Sequence, residues 1–253
     1  MPWSFSSPSS LLNLLVSFRI MDSIPEIWLI DKPKGITSFD VIRRLRRHYS
    51  AAHHGEKAPK MGHAGTLDPL ATGLMVIGVG KGTKRLTELT KLDKEYVAEI
   101  LIGESRITGD MEGEVVEERA MVETVEILQS KISGALTDMQ GEISLPVSAY
   151  SAIKVDGVAM YKRARRAEKV GEVVTNLPIR TMRVNNAELI GMTVGDDRAV
   201  ATIRFQVGSG TYIRSLAEEL GRGLGYPATL FNLRRTKVGD FDIRDAKQIE
   251  DFK

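Results

Sequence analysis

The stretch from Gly62 to Leu74, which reads GHAGTLDPLATGL, holds the densest set of chemically capable groups in this sequence. Its glycines, threonines and proline are unsuited to a helix interior, so the pattern predicts an ordered loop. Pro69 disfavours helical backbone at Asp68, so this carboxylate is expected in extended backbone just ahead of an apolar strand. Asp68 could act there as a nucleophile or a base, or it could simply hydrogen-bond backbone N–H groups in a turn.

Arg214 is a second candidate, in a segment where an apolar strand runs through Gly208 and Gly210 into a helix. The pattern predicts Arg214 in the first turn of that helix, where the helix dipole disfavours a cation unless an anion lies beside it. If the anion is Asp68, the ion pair would keep the carboxylate ionised and fix its orientation. Local sequence leaves open an ordinary structural or surface salt bridge.

Other familiar site patterns are incomplete. The run from Gly78 to Thr83 is similar to a phosphate-binding loop but has Met75 where that pattern needs its first glycine. The Gly208-Ser209-Gly210 run lacks the third glycine of a dinucleotide-binding fingerprint. The chain has no cysteine and four histidines, which excludes disulfides and thiolate zinc sites and leaves no evident metal-ligand set. We therefore expect neither a metal nor a cofactor.

Positive charge is clustered in a chain that is nearly neutral overall. Lys and Arg number 35 against 33 Asp and Glu, so charge permits a nucleic-acid partner without requiring one. An isolated basic run is usually a solvated helix face, but several runs on one side would suit a phosphate backbone. The basic runs are Arg43, Arg44, Arg46 and Arg47; Lys81, Lys84 and Arg85; Lys162, Arg163, Arg165 and Arg166; and Arg234, Arg235 and Lys237.

The order of predicted elements favours an α+β fold with a mixed, mostly antiparallel sheet flanked by helices. Alternating or continuous apolar patterns predict strands at 27–30, 74–79, 96–102, 114–117, 152–155, 179–190 and 199–207. Helical periodicity is found at 83–92, 122–132, 158–166, 212–220 and 246–252. An earlier helix is expected to be capped by Ser38, with Val41, Ile42 and Leu45 on one face, and 49–60 is predicted to be a loop.

The length of 253 residues and a hydrophobic content of 42% allow a sizeable core. Residues 1–21 are Ser-rich, and their one short apolar run can neither span a bilayer nor form a secretory signal without a basic start. We expect a disordered or non-native N-terminal extension here, with an organellar transit segment as the alternative. Residues 22–253 are expected to form the functional domain.

A set of motifs occurs in a fixed order between Trp28 and Phe241. They span 31–38, 62–74, 94–96, 150–157, 210–216 and 233–236 and read DKPKGITS, GHAGTLDPLATGL, KEY, YSAIKVDG, GTYIRSL and LRRT. In this combination the chain resembles the bacterial form of the TruB family of tRNA pseudouridine synthases. The resemblance implies a pseudouridine synthase fold and isomerisation of the T-arm uridine conventionally numbered U55. Because the uracil moves from an N1 to a C5 glycosidic bond without redox change, no cofactor is required.

The resemblance also implies roles for individual residues. Asp68 would be catalytic and paired with Arg214, and Tyr96 would stack on the target base, which must leave its own stack. Asp68 could attack the sugar, attack the base, or remove a sugar proton. Further residues are expected to contact the substrate or line its pocket: His63, which would insert into the T loop, Tyr212, Leu233, Lys32 and Lys84.

The sequence departs from the family pattern in three respects, one of which is that the paired prolines usual shortly before Tyr150 are reduced to Pro146. Arg106 replaces the first threonine of a run in which Thr108, Asp110 and Gly113 match the family. Many members also carry a C-terminal PUA domain that grips the tRNA acceptor end, which we do not expect here. Substrate grip should then be weaker or differently distributed.

Two other functions share the resemblance. A non-catalytic tRNA-binding or tRNA-folding module would not need Asp68, Tyr96 and Arg214 together. A guide-RNA-dependent synthase, as in archaeal and eukaryotic relatives, would use the PUA domain to hold its guide. We therefore expect a stand-alone enzyme that binds the T-arm stem-loop of tRNA, acts as a monomer, makes no membrane contact, and works in the cytoplasm or, alternatively, in an organelle.

Overall fold

A nine-stranded sheet dominates the computed structural model, which describes residues 26–151, 153–170, 174 and 176–251. Two further two-stranded sheets lie beside it. The strands are β1 (Ile27–Lys32), β2 (Met61–His63), β3 (Thr72–Val79), β4 (Lys94–Ile102), β5 (Glu104–Arg106), β6 (Val115–Glu118), β7 (Gly141–Pro146), β8 (Lys154–Val155), β9 (Val158–Ala159), β10 (Ile179–Val194), β11 (Ala199–Val207), β12 (Ala228–Val238) and β13 (Phe241–Asp242).

Five α-helices and three short 3₁₀ segments accompany these strands in the described residues. The helices are α1 (Ser38–Ala52), α2 (Leu86–Leu89), α3 (Val125–Asp138), α4 (Met160–Glu168) and α5 (Ile213–Leu224). The 3₁₀ segments are Gly80–Arg85, Ile243–Asp245 and Ile249–Asp251.

The order of the main sheet is β1-β3-β12-β4-β11-β10-β7, with β2 added to β3 and β13 to β12. Only the β12–β3 pairing is parallel among the described strands; the other pairings of this sheet are antiparallel. The expected α+β fold with a mixed, mostly antiparallel sheet is therefore confirmed. This parallel pairing joins two strands that are far apart in the sequence, since β3 lies before β4 and β12 follows α5.

The core lies between the sheet and helices α1, α3 and α5. Alternate residues of β4 and β11 are buried, as expected for strands that place successive side chains on opposite faces. β3 is buried almost throughout because Met75 and Ile77 face the main cluster, while Leu74 and Val76 face a smaller one. Burial on both faces accounts for the unbroken apolar run of this strand.

Gly73 permits the close approach of β3 and β12. Its backbone has φ +104°, and a Cβ built at this residue would lie 2.3 Å from the carbonyl oxygen of Arg235. Both features require glycine, because L-residues rarely adopt this φ and cannot come so close to another backbone. The glycine thus fixes the point at which β12 passes the start of β3.

Several local predictions need correction. Thr37, rather than Ser38, caps α1: its hydroxyl accepts from the Asp40 amide, and Asp40 accepts in return from the Thr37 amide. Helix α1 continues through Ala52, so the segment expected to be a loop begins later than residue 49. The helix expected at 83–92 is divided between a 3₁₀ segment and α2.

At the C-terminal end, the helix expected at 246–252 is absent from its described part, which contains only Ile249–Asp251 as a 3₁₀ turn. The strand expected at 152–155 begins at Lys154, and residue 152 lies outside the described residues. The predicted N-terminal extension, 1–21, also lies outside them. The other predicted strands are found, including 199–207 with the expected bounds. No helix within the described ranges is long and apolar enough to span a membrane.

Candidate active site

Asp68 lies in the loop between β2 and β3, and side chains from three other parts of the chain hold this loop by its backbone. Ser38 donates its hydroxyl to the Leu67 carbonyl at 2.9 Å and accepts from the Leu67 amide at 2.8 Å. The Asp68 carbonyl accepts from the Ala71 amide at 3.1 Å. Ser38 is therefore a clamp on the residue before Asp68, which explains why it does not cap its own helix.

Two buried cations hold the same loop. Lys32 is 0% exposed, and its ammonium donates to the carbonyls of Pro33, Pro69 and Ala71 at 3.0, 3.3 and 2.5 Å. Arg235 is 1% exposed and donates from Nε to the Leu74 carbonyl at 2.7 Å and from Nη2 to the Gly65 carbonyl at 3.1 Å. Cations bound to carbonyls on both sides of Asp68 leave its loop little freedom.

The prediction that Lys32 contacts the substrate is therefore not supported by its position. A side chain with no exposed surface, whose ammonium already contacts three carbonyls, supports the loop from below. Its burial lowers the pKa of Lys32 to about 8, against the opposing effect of the Asp68 carboxylate. The positive charge beneath Asp68 consequently depends on pH near neutrality.

Arg214 lies in the first turn of α5, as predicted, and is 6% exposed. Its Nη2 lies 3.1 Å from Oδ2 of Asp68, so the predicted ion pair is confirmed. A guanidinium has five N–H groups, and Arg214 has five neighbours for them. These are the Thr108 carbonyl at 2.9 Å, Ser148 Oγ at 3.1 Å, the Tyr150 carbonyl at 3.2 Å, Asp68 at 3.1 Å and Asp110 Oδ2 at 3.8 Å from Nε.

The Arg214 guanidinium thus forms hydrogen bonds to three protein groups and ion pairs with Asp68 and Asp110. A buried guanidinium held by these protein groups is poorly placed to bind a phosphate, so its contribution is to orient the Asp68 carboxylate. Asp68 itself is 40% exposed, which leaves its other oxygen accessible for chemistry. Asp110 is only 4% exposed and balances the arginine charge from inside.

Further carboxyl groups surround this pair. Burial raises the pKa of Glu218, one turn along α5, against the lowering effect of Arg214. Burial, Asp110 and Asp68 raise the pKa of Glu112 in the same neighbourhood. The site is therefore crowded with negative charge that Arg214 and Lys32 offset, which is typical of functional sites.

A cavity of about 270 Å³ opens beside Asp68. Its size suits one pyrimidine ring with part of its sugar, and its lining is mostly apolar with a few polar groups, as in many ligand sites. The lining residues come from the Asp68 loop, β4 and the turn before it, the segment after β7, the turn before α5 and its first residues, and β12: Gly65, Thr66, Leu67, Asp68, Thr90, Lys94, Tyr96, Ser151, Gly208, Gly210, Thr211, Tyr212, Ile213, Arg214, Leu233 and Arg235.

The structure brings Asp68, Tyr96, Tyr212, Arg214 and Leu233 together in this cavity, as the resemblance implied. Tyr96 is buried in the cavity wall with its neighbour on β12, Arg235. Tyr212 immediately precedes α5, and burial raises the pKa of its hydroxyl, so it is neutral near pH 7.

His63 and Lys84 do not line the cavity. His63 ends β2 opposite Ile77, half-buried, with Nδ1 unpartnered among the described residues. Burial and the nearby charge of Arg235 lower the pKa of His63, so its ring is neutral at pH 7. Lys84 is exposed on the 3₁₀ turn Gly80–Arg85. Both could meet only parts of a substrate outside the cavity.

Sequence reasoning missed the positions of three buried charged residues, Arg235, Lys94 and Asp110. Arg235 was counted among surface basic residues but is buried, and its neighbour Arg234 pairs with Asp31 at 2.7 Å. Lys94 was noticed only as part of the motif that contains Tyr96. Alternation along β4 was the available signal, since Lys94, Tyr96 and Ala98 share its buried face. Asp110 was recognised only as a match to the family run that contains Thr108 and Gly113, and its ion pair with Arg214 was not predicted.

Comparison with known proteins relates this geometry to a family. The model of the TruB family pseudouridylate synthase (N terminal domain) matches residues 51–213. A protein named tRNA pseudouridine synthase B from Leifsonia xyli subsp. xyli is 42% identical over 221 residues, which cover 87% of this chain and 69% of that protein. This chain belongs to the TruB family. A TruB family protein of the same name from Mycobacterium leprae is 40% identical over 233 residues, covering 90% and 68%.

Solved structures share the fold of this chain. A chain of the structure titled Crystal Structure of a Cbf5-Nop10-Gar1 Complex superposes with a TM-score of 0.63 at 26% identity, covering 89% of this chain and 52% of that one. Another, titled Structure of H/ACA RNP bound to a substrate RNA containing 2'-deoxyuridine, gives a TM-score of 0.60 at 24% identity. The chain spans about half the length of these solved relatives. The pseudouridine synthase fold expected from the sequence is thereby confirmed.

Proposed function

We propose that this protein isomerises a tRNA uridine, the T-arm uridine conventionally numbered U55, to pseudouridine, with Asp68 as its catalytic group. The observation that carries the proposal is the buried Arg214 guanidinium, which lies 3.1 Å from the Asp68 carboxylate and is held by hydrogen bonds to Thr108, Ser148 and Tyr150. An arginine devoted to aiming a carboxylate into a base-sized cavity serves catalysis rather than RNA binding. The names of the curated relatives support the substrate.

The reaction breaks the N1–C1' bond of the uridine and forms a C5–C1' bond. C5 loses its proton, and N1 takes one, so no electron leaves or enters the substrate. The free oxygen of Asp68 could attack C1', attack the base at C6, or accept the C2' proton. The cavity would hold the detached uracil while it turns, with Tyr96 as the aromatic surface beneath it.

Other residues would contribute outside the bond-changing step. Tyr212 and Leu233 would enclose the base, and His63 would meet the T loop beside the cavity rather than inside it. Exposed basic residues such as Arg43, Arg47 and Lys84 would contact phosphates. We further propose that residues 22–253 act as the catalytic domain, that the protein is a cytoplasmic monomer, and that it needs no metal. Among the described residues, no group of three or more His, Asp or Glu side chains could hold a metal ion.

The proposal is tested by tritium release from a T-arm stem-loop that contains 5-³H-uridine. The native protein should release tritium without a guide RNA, whereas Asp68→Asn should release none while binding the stem-loop with similar affinity. Asp138→Asn, an exposed carboxylate at the end of α3, is the matched control and should behave as native.

Three results would contradict parts of the proposal. Tritium release by Asp68→Asn at the native rate would remove Asp68 from the chemistry. Binding by the native protein without any release would favour the non-catalytic tRNA-folding module. Release only after addition of a guide RNA would favour a guide-dependent enzyme. Gel filtration with light scattering and cell fractionation would test the monomer and the location.

A further inference from the structure

Lys94 is a buried lysine in the wall of the active-site cavity, and the resemblance gives it no role. It begins β4 and lies two residues before Tyr96 on the same face of the strand. Strand geometry separates their Cα atoms by about 6.8 Å, which is close to the width of a pyrimidine with its exocyclic oxygens. A base on Tyr96 would therefore reach Lys94 with one edge.

The Lys94 ammonium has one N–H to spare. Nζ donates to the carbonyls of Thr90 and Leu92, each at 2.6 Å, and an ammonium has three donors. No described carboxylate lies within salt-bridge distance of it. A buried cation held only by carbonyls is costly, and an acceptor from a ligand would reduce that cost.

Strand pairing sets Lys94 apart from the Arg214 side of the site along β4. Asp110, which contacts Arg214, forms a bridge with Leu230, and Leu230 lies opposite Ile100 of β4. Along β4, Ile100 therefore lies nearest Asp110, Tyr96 lies in the middle, and Lys94 lies at the start of the strand. A nucleotide with its sugar at Asp68 and its base on Tyr96 directs the far edge of the base toward Lys94.

We infer that Lys94 donates its free N–H to a carbonyl oxygen of the target uracil, an inference that rests on the proposed function. When the N1–C1' bond breaks, the bonding electron pair remains on N1 and spreads over the O2 and O4 oxygens. The ammonium stabilises this uracil anion until C5 bonds to C1', C5 releases its proton and N1 is protonated. A preorganised donor aimed at developing negative charge commonly contributes a factor of about 10² to 10³ in rate.

The alternative role for Lys94 is purely structural, because its hydrogen bonds to the Thr90 and Leu92 carbonyls stabilise the turn before β4. The test compares Lys94→Met, Lys94→Arg and the control Lys91→Met, an exposed lysine in the same turn. Each variant is assayed for single-turnover tritium release at saturating stem-loop, for stem-loop affinity and for stability in urea. The substrates carry uridine, 2-thiouridine or 4-thiouridine at the target, because sulfur is a poorer acceptor than oxygen.

We expect Lys94→Met to slow release about 100-fold with affinity within about twofold, Lys94→Arg to recover most of the rate, and Lys91→Met to match native. One of the two thio substrates should slow the native protein and have no further effect on Lys94→Met, which identifies the oxygen that Lys94 contacts. If Lys94→Met does not fold, the same coupling is measured with Lys94→Gln, whose shorter and neutral side chain cannot place an ammonium at either oxygen.

Two outcomes would overturn the inference. A loss of stability in Lys94→Met with an unchanged rate would make Lys94 a structural clip. Thio effects that are equal in native and variant would show that Lys94 touches neither oxygen. A native protein that releases no tritium at all would instead contradict the proposed function, so the two failures are distinguishable.

Discussion

Replacing Arg214 by leucine is the sharpest test of how this site is built. The substitution removes every N–H from the buried fork and leaves Asp110, 4% exposed, without its cation. Removing one partner of a buried ion pair costs about 3–5 kcal/mol, whereas the pair with Asp68, whose side chain is 40% exposed, adds about 1 kcal/mol or less. We therefore expect the free energy of unfolding to fall by about 3–5 kcal/mol, mostly because Asp110 remains buried without its ion-pair partner.

The catalytic loss has a different origin. Without the Arg214 N–H, Asp68 keeps its loop but loses its orientation, and a misplaced reacting group commonly costs a factor of about 10². Tritium release should fall by at least about that factor while stem-loop affinity stays within about threefold. Urea denaturation and filter binding measure stability and affinity separately from turnover.

The control for this experiment is Arg222→Leu on the same helix. Arg222 is 61% exposed and pairs with Glu219 at the surface, so stability and release should change little. If Arg214→Leu lowers affinity and rate by the same factor, Arg214 binds phosphate and its proposed role is wrong. If Arg214→Leu leaves the free energy of unfolding unchanged, the buried contacts of the Arg214 guanidinium do not stabilise the fold as we expect.

Further predictions concern the loop and its buried lysines. Gly73→Ala should prevent folding or cost more than about 3 kcal/mol, since its Cβ would meet the β12 backbone at 2.3 Å; thermal denaturation checks this. Ser38→Ala should cost about 1–3 kcal/mol and lower kcat more than it raises KM, because both polar groups of Leu67 lose their partner; equal effects on kcat and KM would contradict this. Release should fall as pH rises through about 8, where Lys32 and Lys94 lose their protons. Between pH 8 and about 10.5 the unfolded chain binds more protons at these lysines than the folded chain does, so they make the free energy of unfolding rise with pH while the rate of release falls. A parallel decrease of the free energy of unfolding and of the release rate over this range would refute the prediction.

The sequence predicted much of the local structure because short-range rules decide it. Alternation located β11, and Pro69 and the surrounding glycines placed Asp68 in an ordered loop. The resemblance then supplied Tyr96 and Arg214. Prediction failed where a distant residue competed for a side chain: Ser38 is a good helix cap in isolation, yet it binds Leu67 instead, and Thr37 caps the helix.

Strand β12 shows the same limit on a larger scale. Its sequence carries basic residues in a row, which predicts an exposed surface, but Arg235 is fully buried against the Asp68 loop. A buried arginine needs polar partners to offset the loss of hydration, and the carbonyls that bind Arg235 come from residues more than a hundred positions earlier. No pattern within β12 could reveal them.

The sequence by itself determined the family and the fold class, because these follow from residue types in a fixed order, and it singled out Asp68 as the candidate carboxylate. Only the tertiary structure decided what each charge does. It placed Lys32 beneath the Asp68 loop as a support, set the Arg214 guanidinium between Asp68 and Asp110, and buried Lys94 in the cavity wall with two carbonyl partners. The reason is that the free energy of a charged group depends on its burial and on partners that only folding brings within hydrogen-bond distance.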